Sequence, residues 1–422
     1  MPATRRCDAG ELELGGGLEV LLSAALETQP PGGRVDALVA SRSTALDLPG
    51  WARLRGHRVL GEPVRATGVN GDGERWLVPI ERGAATTVLA PAPAVDRKPP
   101  PLRRDGSLSL ADWRASFGAP PAHADPKGGL APLGSLPERG GPAYGWRLSD
   151  RDRLWTDEVG RLTERARRAQ WDATSDVPWE AVANLPADVE RAVAQVTTFL
   201  AQNEYAAYYV PARFMREVNP AYPEVLLWLA GHVYDEARHV EVFTKRALLA
   251  GGGAYALAST ELSLRTLFEE DDFSCSTLLL NVLGEGTFLD LLWFIQDNAP
   301  DAATATAARL VRRDERRHVG FGVLHLRRSI ARDPDLRAQL VASAERRAAK
   351  LTELSGLHPL VVESLTLMSA RGKAHADLAE ATTAVRALRT RMEESRVRRL
   401  IAVGFGEPDA RYLSDMHTPN LM

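Results

Sequence analysis

The sequence predicts a mainly α-helical protein, a bundle of long helices with extra helices behind it, preceded by a small two-layer α/β domain. Three observations lead there. Helix breakers are unevenly spread: residues 1–150 of the 422 hold 21 of 34 glycines and 17 of 27 prolines, so the remainder can sustain long helices. From about Leu148 onward Ala, Leu, Arg and Glu dominate with helical periodicity. Before residue 85, short apolar runs alternate with helical patterns, the order of a small α/β unit.

Taken in order, Glu11–Leu14 reads as a strand, Leu18–Glu27 as a helix, Arg34–Ala40 as a strand and Ser43–Leu54 as a helix. His57–Ala66 and Glu74–Ile80 follow as strands, giving β-α-β-α-β-β over residues 8–84. Within this unit the stretch ALVASRSTALDLPGWARLRGHRVLGE carries Asp47, Pro49, Trp51, Gly56 and His57. With the element order, it resembles the TusA-like sulfur-carrier family. That family holds sulfur on a Cys followed by Pro at the start of its first helix, where this chain reads Gly-Gly-Gly-Leu-Glu-Val from Gly15 to Val20. Cys7 sits too early to substitute and reads as part of a frayed end. The resemblance therefore implies a scaffold for docking or packing without the sulfur-carrying cysteine. Residues 85–147 contain PAPAVDRKPPP and GGLAPLGSLPERGGP, and read as a linker without regular elements.

The helical domain, residues 148–422 with a bundle core at about 188–330, contains two sequences of one shape: Asp235-Glu236-Ala-Arg-His239 and Asp314-Glu315-Arg-Arg-His318. Each sets a carboxylate and an imidazole one helical turn apart, on one face. Glu204 precedes Glu236 by 32 residues and Glu285 precedes Glu315 by 30. The midpoints of these intervals, residues 220 and 300, fall in the breaker clusters Asn219-Pro220-Ala-Tyr-Pro223 and Asn298-Ala-Pro300-Asp301. Pro211 stands alone and reads as a kink. Two helical hairpins follow, with arms of about 15 residues, roughly 22 Å. Glu204 then faces Glu236 and Glu285 faces Glu315.

Packing the hairpins gathers four carboxylates and two imidazoles in an apolar setting. Ionised carboxylates there need neutralisation, and two divalent cations supply it. Single glutamates from two helices plus Glu-x-x-His from two others make a set that resembles the ferritin-like, ribonucleotide-reductase-like di-metal superfamily. The resemblance implies a ferritin-like four-helix bundle with two iron ions, or a manganese and an iron, held by Glu204, Glu236, His239, Glu285, Glu315 and His318. It further implies that Asp235 orients His318 and Asp314 orients His239. Gly284 and Gly286 each cost a helix about 1 kcal/mol relative to Ala; room at the metal and close helix contact explain them equally well.

Iron storage fits poorly, because the chain adds an α/β unit, a linker and helices beyond residue 330. In ribonucleotide reductase small subunits a radical tyrosine commonly lies seven residues after the first ExxH glutamate; here that place is Phe243, with Tyr205, Tyr208 and Tyr234 nearby. The p-aminobenzoate N-oxygenase type has an extra His four residues before the Glu of its second pair. This chain has Val311 there, and His232 four before Glu236 of the first pair. His232 is open to three roles: metal ligand, hydrogen-bond donor behind a ligand, or core histidine. His325, seven after His318, lies on the same stripe but about 10 Å along. One turn past the single glutamates, Tyr208, Phe288 and Leu289 are expected to wall a pocket for a small apolar molecule.

The expected activity is O2-dependent oxidation or oxygenation of a small organic substrate, with a ferredoxin or flavin reductase as electron donor. A non-catalytic metal site, with the α/β unit as the interaction module, is the contrasting reading. Lys and Arg total 52 against 55 Asp and Glu, a net charge of −3, so no basic excess points to nucleic acid or a membrane surface. Only Cys7 and Cys275 occur, which excludes a disulfide framework and points to a reducing, cytoplasmic setting. No signal peptide or membrane-spanning apolar run is read from the sequence. Pro334–Leu354 and Val361–Val397 read as long helices that extend the bundle or form a homodimer surface.

Overall fold

The computed structural model describes residues 4–68, 73–84, 100–135, 137, 141–249, 254–352, 357–371 and 377–417. The chain forms two compact units, one of residues 1–99 with 127–145, the other of residues 100–126 with 146–422.

The small unit runs β1 (Arg5–Asp8), α1 (Leu18–Glu27), β2 (Arg34–Val39), α2 (Arg42–Leu54), β3 (Arg58–Val59), β4 (Val64–Thr67) and β5 (Glu74–Glu81). β1 and β2 are parallel across α1, and β5 lies antiparallel to β2 from Arg34 opposite Glu81 to Val39 opposite Trp76. The far edge of β5 is shared by β3 and β4. Leu18, Leu22 and Leu26 of α1 and Ala45, Leu48 and Ala52 of α2 fill the core against Val35, Ala37, Val39, Val78 and Ile80. Ser41 caps α2 by accepting the Thr44 N–H at 3.0 Å.

Three expectations are corrected here. The first strand is Arg5–Asp8 rather than Glu11–Leu14, because the latter is spent on turns in which Leu12 N–H donates to Ala9 O and Gly16 N–H to Glu13 O. Cys7 consequently sits buried in a strand and is not frayed. The run expected over His57–Ala66 is two short strands, broken around Pro63, which lacks the N–H a ladder needs.

In the helical unit, α3 (Leu110–Ala115) lies within the stretch expected to be irregular. Ser109 caps it, Leu110 N–H donates to Glu164 at 2.7 Å, and Arg114 pairs with buried Glu224 at 2.9 Å. Residues 85–99 lie outside the described residues. α4 (Val159–Arg168) precedes the first hairpin, α5 (Ala187–Met215) and α6 (Pro223–Leu248). Its turn lies where the spacing placed it. Pro223 at the first position of α6 needs no N–H partner, while Pro211 lies within α5.

After α7 (Ala258–Phe268), one continuous helix runs Phe273–Asn298 as α8 (Phe273–Thr277), a π-helical stretch Leu278–Glu285 and α9 (Gly286–Asn298). It is the one described helix long and apolar enough to cross a membrane, and 83% of its most apolar window is buried within the protein. α10 (Ala302–Arg332) completes the second hairpin and is capped by Asp301, which accepts Thr304 N–H at 2.7 Å. These four long helices form the bundle.

α11 (Leu336–Leu351), α12 (Pro359–Arg371), α13 (Leu378–Val403) and α14 (Glu407–His417) follow. The helix expected over Val361–Val397 is thus two helices, with 372–376 outside the described residues. α12 packs on α5, and α13 on α9 and α10, so these helices extend the bundle.

Candidate metal centre

The hairpins deliver the six predicted groups to one buried place. Glu204, Glu236, Glu285, Glu315, His239 and His318 are each 5% exposed or less. They form two sets that share Glu236: Glu204, Glu236, His239 and Glu315, and beside it His232, Glu236, Glu285 and His318. Nδ1 of His239 lies 3.0 Å from Glu236, 3.2 Å from Glu315 and 3.8 Å from Glu204. Nδ1 of His318 lies 2.9 Å from Glu236 and 3.5 Å from Glu315. Glu236 and Glu315 therefore each lie within 3.5 Å of both imidazoles, and Glu236 alone belongs to both sets.

The opposite edge of each ring fixes which nitrogen faces inward. His239 Nε2–H donates to Asp314 at 3.4 Å and His318 Nε2–H donates to Asp235 at 3.3 Å. This is the crossed pairing the resemblance implied, and it leaves the Nδ1 atom of both rings directed at the carboxylates. The aspartates are held in turn. Arg238 donates to Asp235 and to Asp314 (3.0 Å), and Arg317 to Asp314 (2.5 Å) and Asp235 (3.3 Å). Trp171 Nε1–H donates to Asp314 at 2.6 Å and Gln170 to Asp235 at 3.2 Å. Hydrogen bonds and charge from the two histidines, with the arginines, hold both aspartates below the usual carboxylate range in spite of their burial.

Sequence reasoning missed Arg238, Arg317, Trp171 and Gln170. The arginines had a signal: both motifs carry Arg immediately before His. Trp171 and Gln170 lie in a loop far away in sequence and carry none.

The donor set fits two cations. Glu236 Oε1, both Glu315 oxygens and His318 Nδ1 are buried without any hydrogen-bond partner, and such groups need a ligand to satisfy them. Burial, with Glu236 and Glu315 nearby, pushes Glu204 well above the usual carboxylate range, and burial raises Glu285 as well. Cations would take the place of those protons. His232 belongs to the cluster: Nε2 lies 3.1 Å from Glu285 and 3.2 Å from Glu236, and its ring stacks on His318 at 3.8 Å. One set therefore offers two imidazoles and the other one. His325 does not reach the cluster. It sits against Ser274 Oγ at 3.0 Å, and burial pushes its pKa down to about 4.

Glu285 closes the π-helical stretch, where Asn281 Nδ2 donates to it at 2.7 Å. π turns open the backbone ladder and recur at functional sites. The glycines divide between the two explanations: Gly284 lines a cavity at the cluster, whereas a Cβ on Gly286 would lie 2.4 Å from Arg399 Nε.

That cavity is lined by Glu204, Glu285, Glu315, Ala207 and Phe288 among others. The expected walls Tyr208 and Leu289 do not line it. The side chains three residues past each glutamate, Ala207 and Phe288, face it, and the next position round the helix turns away. Tyr208 instead packs edge-on against Tyr209. Phe243 is buried, and Tyr205 and Tyr234 are exposed.

No family model matches the chain, and no curated protein does. Solved structures resemble it: a variant of an R2-like ligand-binding oxidase with an aerobically reconstituted Mn/Fe cofactor has 17% identity and a TM-score of 0.46, covering 59% of this chain and 94% of that one. Another variant, with an aerobically reconstituted Fe/Fe cofactor, has 18% identity and a TM-score of 0.44, again over 59% and 94%.

Proposed function

We propose that the helical unit is a di-metal oxidase or oxygenase that uses O2 to oxidise a small organic substrate. The observation that supports it best is the pair of buried donor sets joined through Glu236, with the Nδ1 atom of both His239 and His318 turned inward. Glu204, Glu236, His239 and Glu315 would hold one ion, and Glu236, Glu285, His318 and His232 the other. Bound in such a cage, two ferrous ions, or a manganese and an iron, supply the two-electron reduction of O2. The protein keeps the imidazoles in one tautomer through Asp235 and Asp314, and excludes water with the apolar wall of Phe288 and Ala207. The unequal imidazole count favours unequal ions, which keeps the Mn/Fe alternative in view. Turnover draws electrons from a reductase or ferredoxin.

We read the small unit as a docking or packing scaffold. Gly15–Val20 offers no thiol at the start of α1, and burial raises the Cys7 thiol above its ordinary pKa, against a role in sulfur transfer.

The test is anaerobic loading with Fe(II) followed by exposure to O2. A new visible absorption band is expected. Retained iron with a flat spectrum would leave only a structural metal site, and no retained metal would remove the reading altogether.

A further inference from the structure

Five arginines are buried among the described residues, and four have acidic company. Arg114 faces Glu224, Arg238 faces Asp235 and Asp314, Arg246 is held by Glu190 and Asp301, and Glu393, Asp290 and Asp415 act on Arg396. Arg347 on α11 differs. It is 2% exposed, and its partners are neutral: Nε donates to Thr266 Oγ1 at 2.9 Å, Nη2 to Ser263 Oγ at 3.4 Å, and Nη1 lies 3.2 Å from His417 Nδ1. Burial alone acts on its pKa, lowering it to about 10. A guanidinium at that depth is stable in place when an anion neutralises it.

The position of Arg347 says where the anion would come from. It lines the same cavity as Glu204, Glu285 and Glu315, between walls that include Phe288, Leu264 and Leu267. The free volume is about 20 Å³, room for one water-sized group, so an occupant must be slender and must displace leucine side chains to enter.

We propose that this cavity binds a small organic monoacid, its carboxylate on Arg347 and its apolar remainder along Phe288 toward the carboxylate cluster. A planar guanidinium accepts a carboxylate through two parallel N–H donors, a stronger pairing than its present neutral partners give. A second carboxylate at the far end is disfavoured, because that end meets apolar side chains and glutamates. The binding site stands on Arg347 and the cavity; its assignment as the substrate site rests on the di-metal reading.

The test uses the full chain, with and without two equivalents of Fe(II) under anaerobic conditions. Straight-chain acids from acetate to octanoate, and the matching primary amides, are titrated by calorimetry and by shift in Tm. At one chain length or more the acid is expected to bind at least about ten-fold tighter than its amide. Arg347→Gln should erase that preference with metal content unchanged, and Arg347→Lys should restore part of it. Acids and amides that bind alike at every length, or not at all, would overturn the proposal on the wild-type protein alone, whether or not a variant folds. So would an Arg347→Gln protein that keeps the preference. Acid binding without an O2-dependent band removes the di-metal oxidation reading and leaves the site; the reverse outcome removes only the site.

Discussion

The two hairpins of the bundle are near copies in ligand spacing and in the Asp and Arg beside each ExxH pair, and differ one turn further out. In the first, α5 runs unbroken for 29 residues through Glu204. In the second, the helix that carries Glu285 is opened into a π stretch immediately before it. Four residues before the shared-type glutamate stands His232 in one hairpin and Val311 in the other; seven after the histidine stands Arg246 in one and His325 in the other. Arg246 is a buried cation clamped by Glu190, Asp301 and Thr304, whereas His325 is a buried neutral ring against Ser274. The repeated part is what two cations require. The varied part sets how the two positions differ in donors, access and response to acid.

The largest effect should come from removing the carboxylate both sets use. Glu236→Ala is expected to reduce bound metal from about two ions per chain to almost none, while Glu204→Ala or Glu285→Ala leaves about one. Elemental analysis after gel filtration reads this directly; equal losses in all three variants would break the assignment of Glu236 as the shared group.

Acid separates the hairpins next. His325 has a folded-state pKa of about 4 against an ordinary 6.5, so below pH 6.5 the unfolded chain takes up a proton that the folded one refuses. Its contribution is complete above pH 6.5 and is lost as pH falls to about 4, amounting to about 3 kcal/mol. Denaturant unfolding of wild type and His325→Gln across that window should show the shallower acid loss in the variant. Equal slopes would mean that other groups carry the acid response. The clamped Arg246 does not titrate in that range.

The smallest effect sharpens the crossed pairing. Asp235→Asn and Asp314→Asn should each weaken metal binding by about 10 to 100-fold. The Asp314 variant is expected to lose more, since Trp171 and His239 both depend on that carboxylate. Competition with a chelator measures the order, and a reversed order would show that the Trp171 bond does not support the site.

The sequence carried the hairpins because turns need breakers, and Asn219–Pro223 and Asn298–Asp301 supply them at the midpoints of the glutamate pairs. The crossed aspartates came from the resemblance to di-metal carboxylate proteins and not from the spacing, which sets an Asp beside each Glu but does not say which histidine it meets. Nor did the sequence carry the Asp–Arg ring: Arg238 and Arg317 look like solvated helix-face charges until the bundle buries Arg238 and covers most of Arg317. Of the expected pocket walls Phe288 lines the cavity, whereas Tyr208 and Leu289 do not: each lies one position further round its helix than Ala207 and Phe288, which face it. The first strand was misread because Glu11–Leu14 has the alternation of a strand while Arg5–Asp8 has the partner, β2, that makes one.

The π stretch has a consequence of a genetic kind. A π turn spans one residue more than an α turn, so the smallest event that creates one is a single-residue insertion. Deleting one residue between Leu278 and Gly284 would close the ladder and swing everything upstream by about 100°. Glu285 and α9 would stay in register with α10, but Leu279 and Leu280, which line the cavity, would turn away from it. One codon thus separates two linings of the same carboxylate–histidine cluster, a short step by which a lineage could change what the cavity admits while keeping every proposed ligand in place.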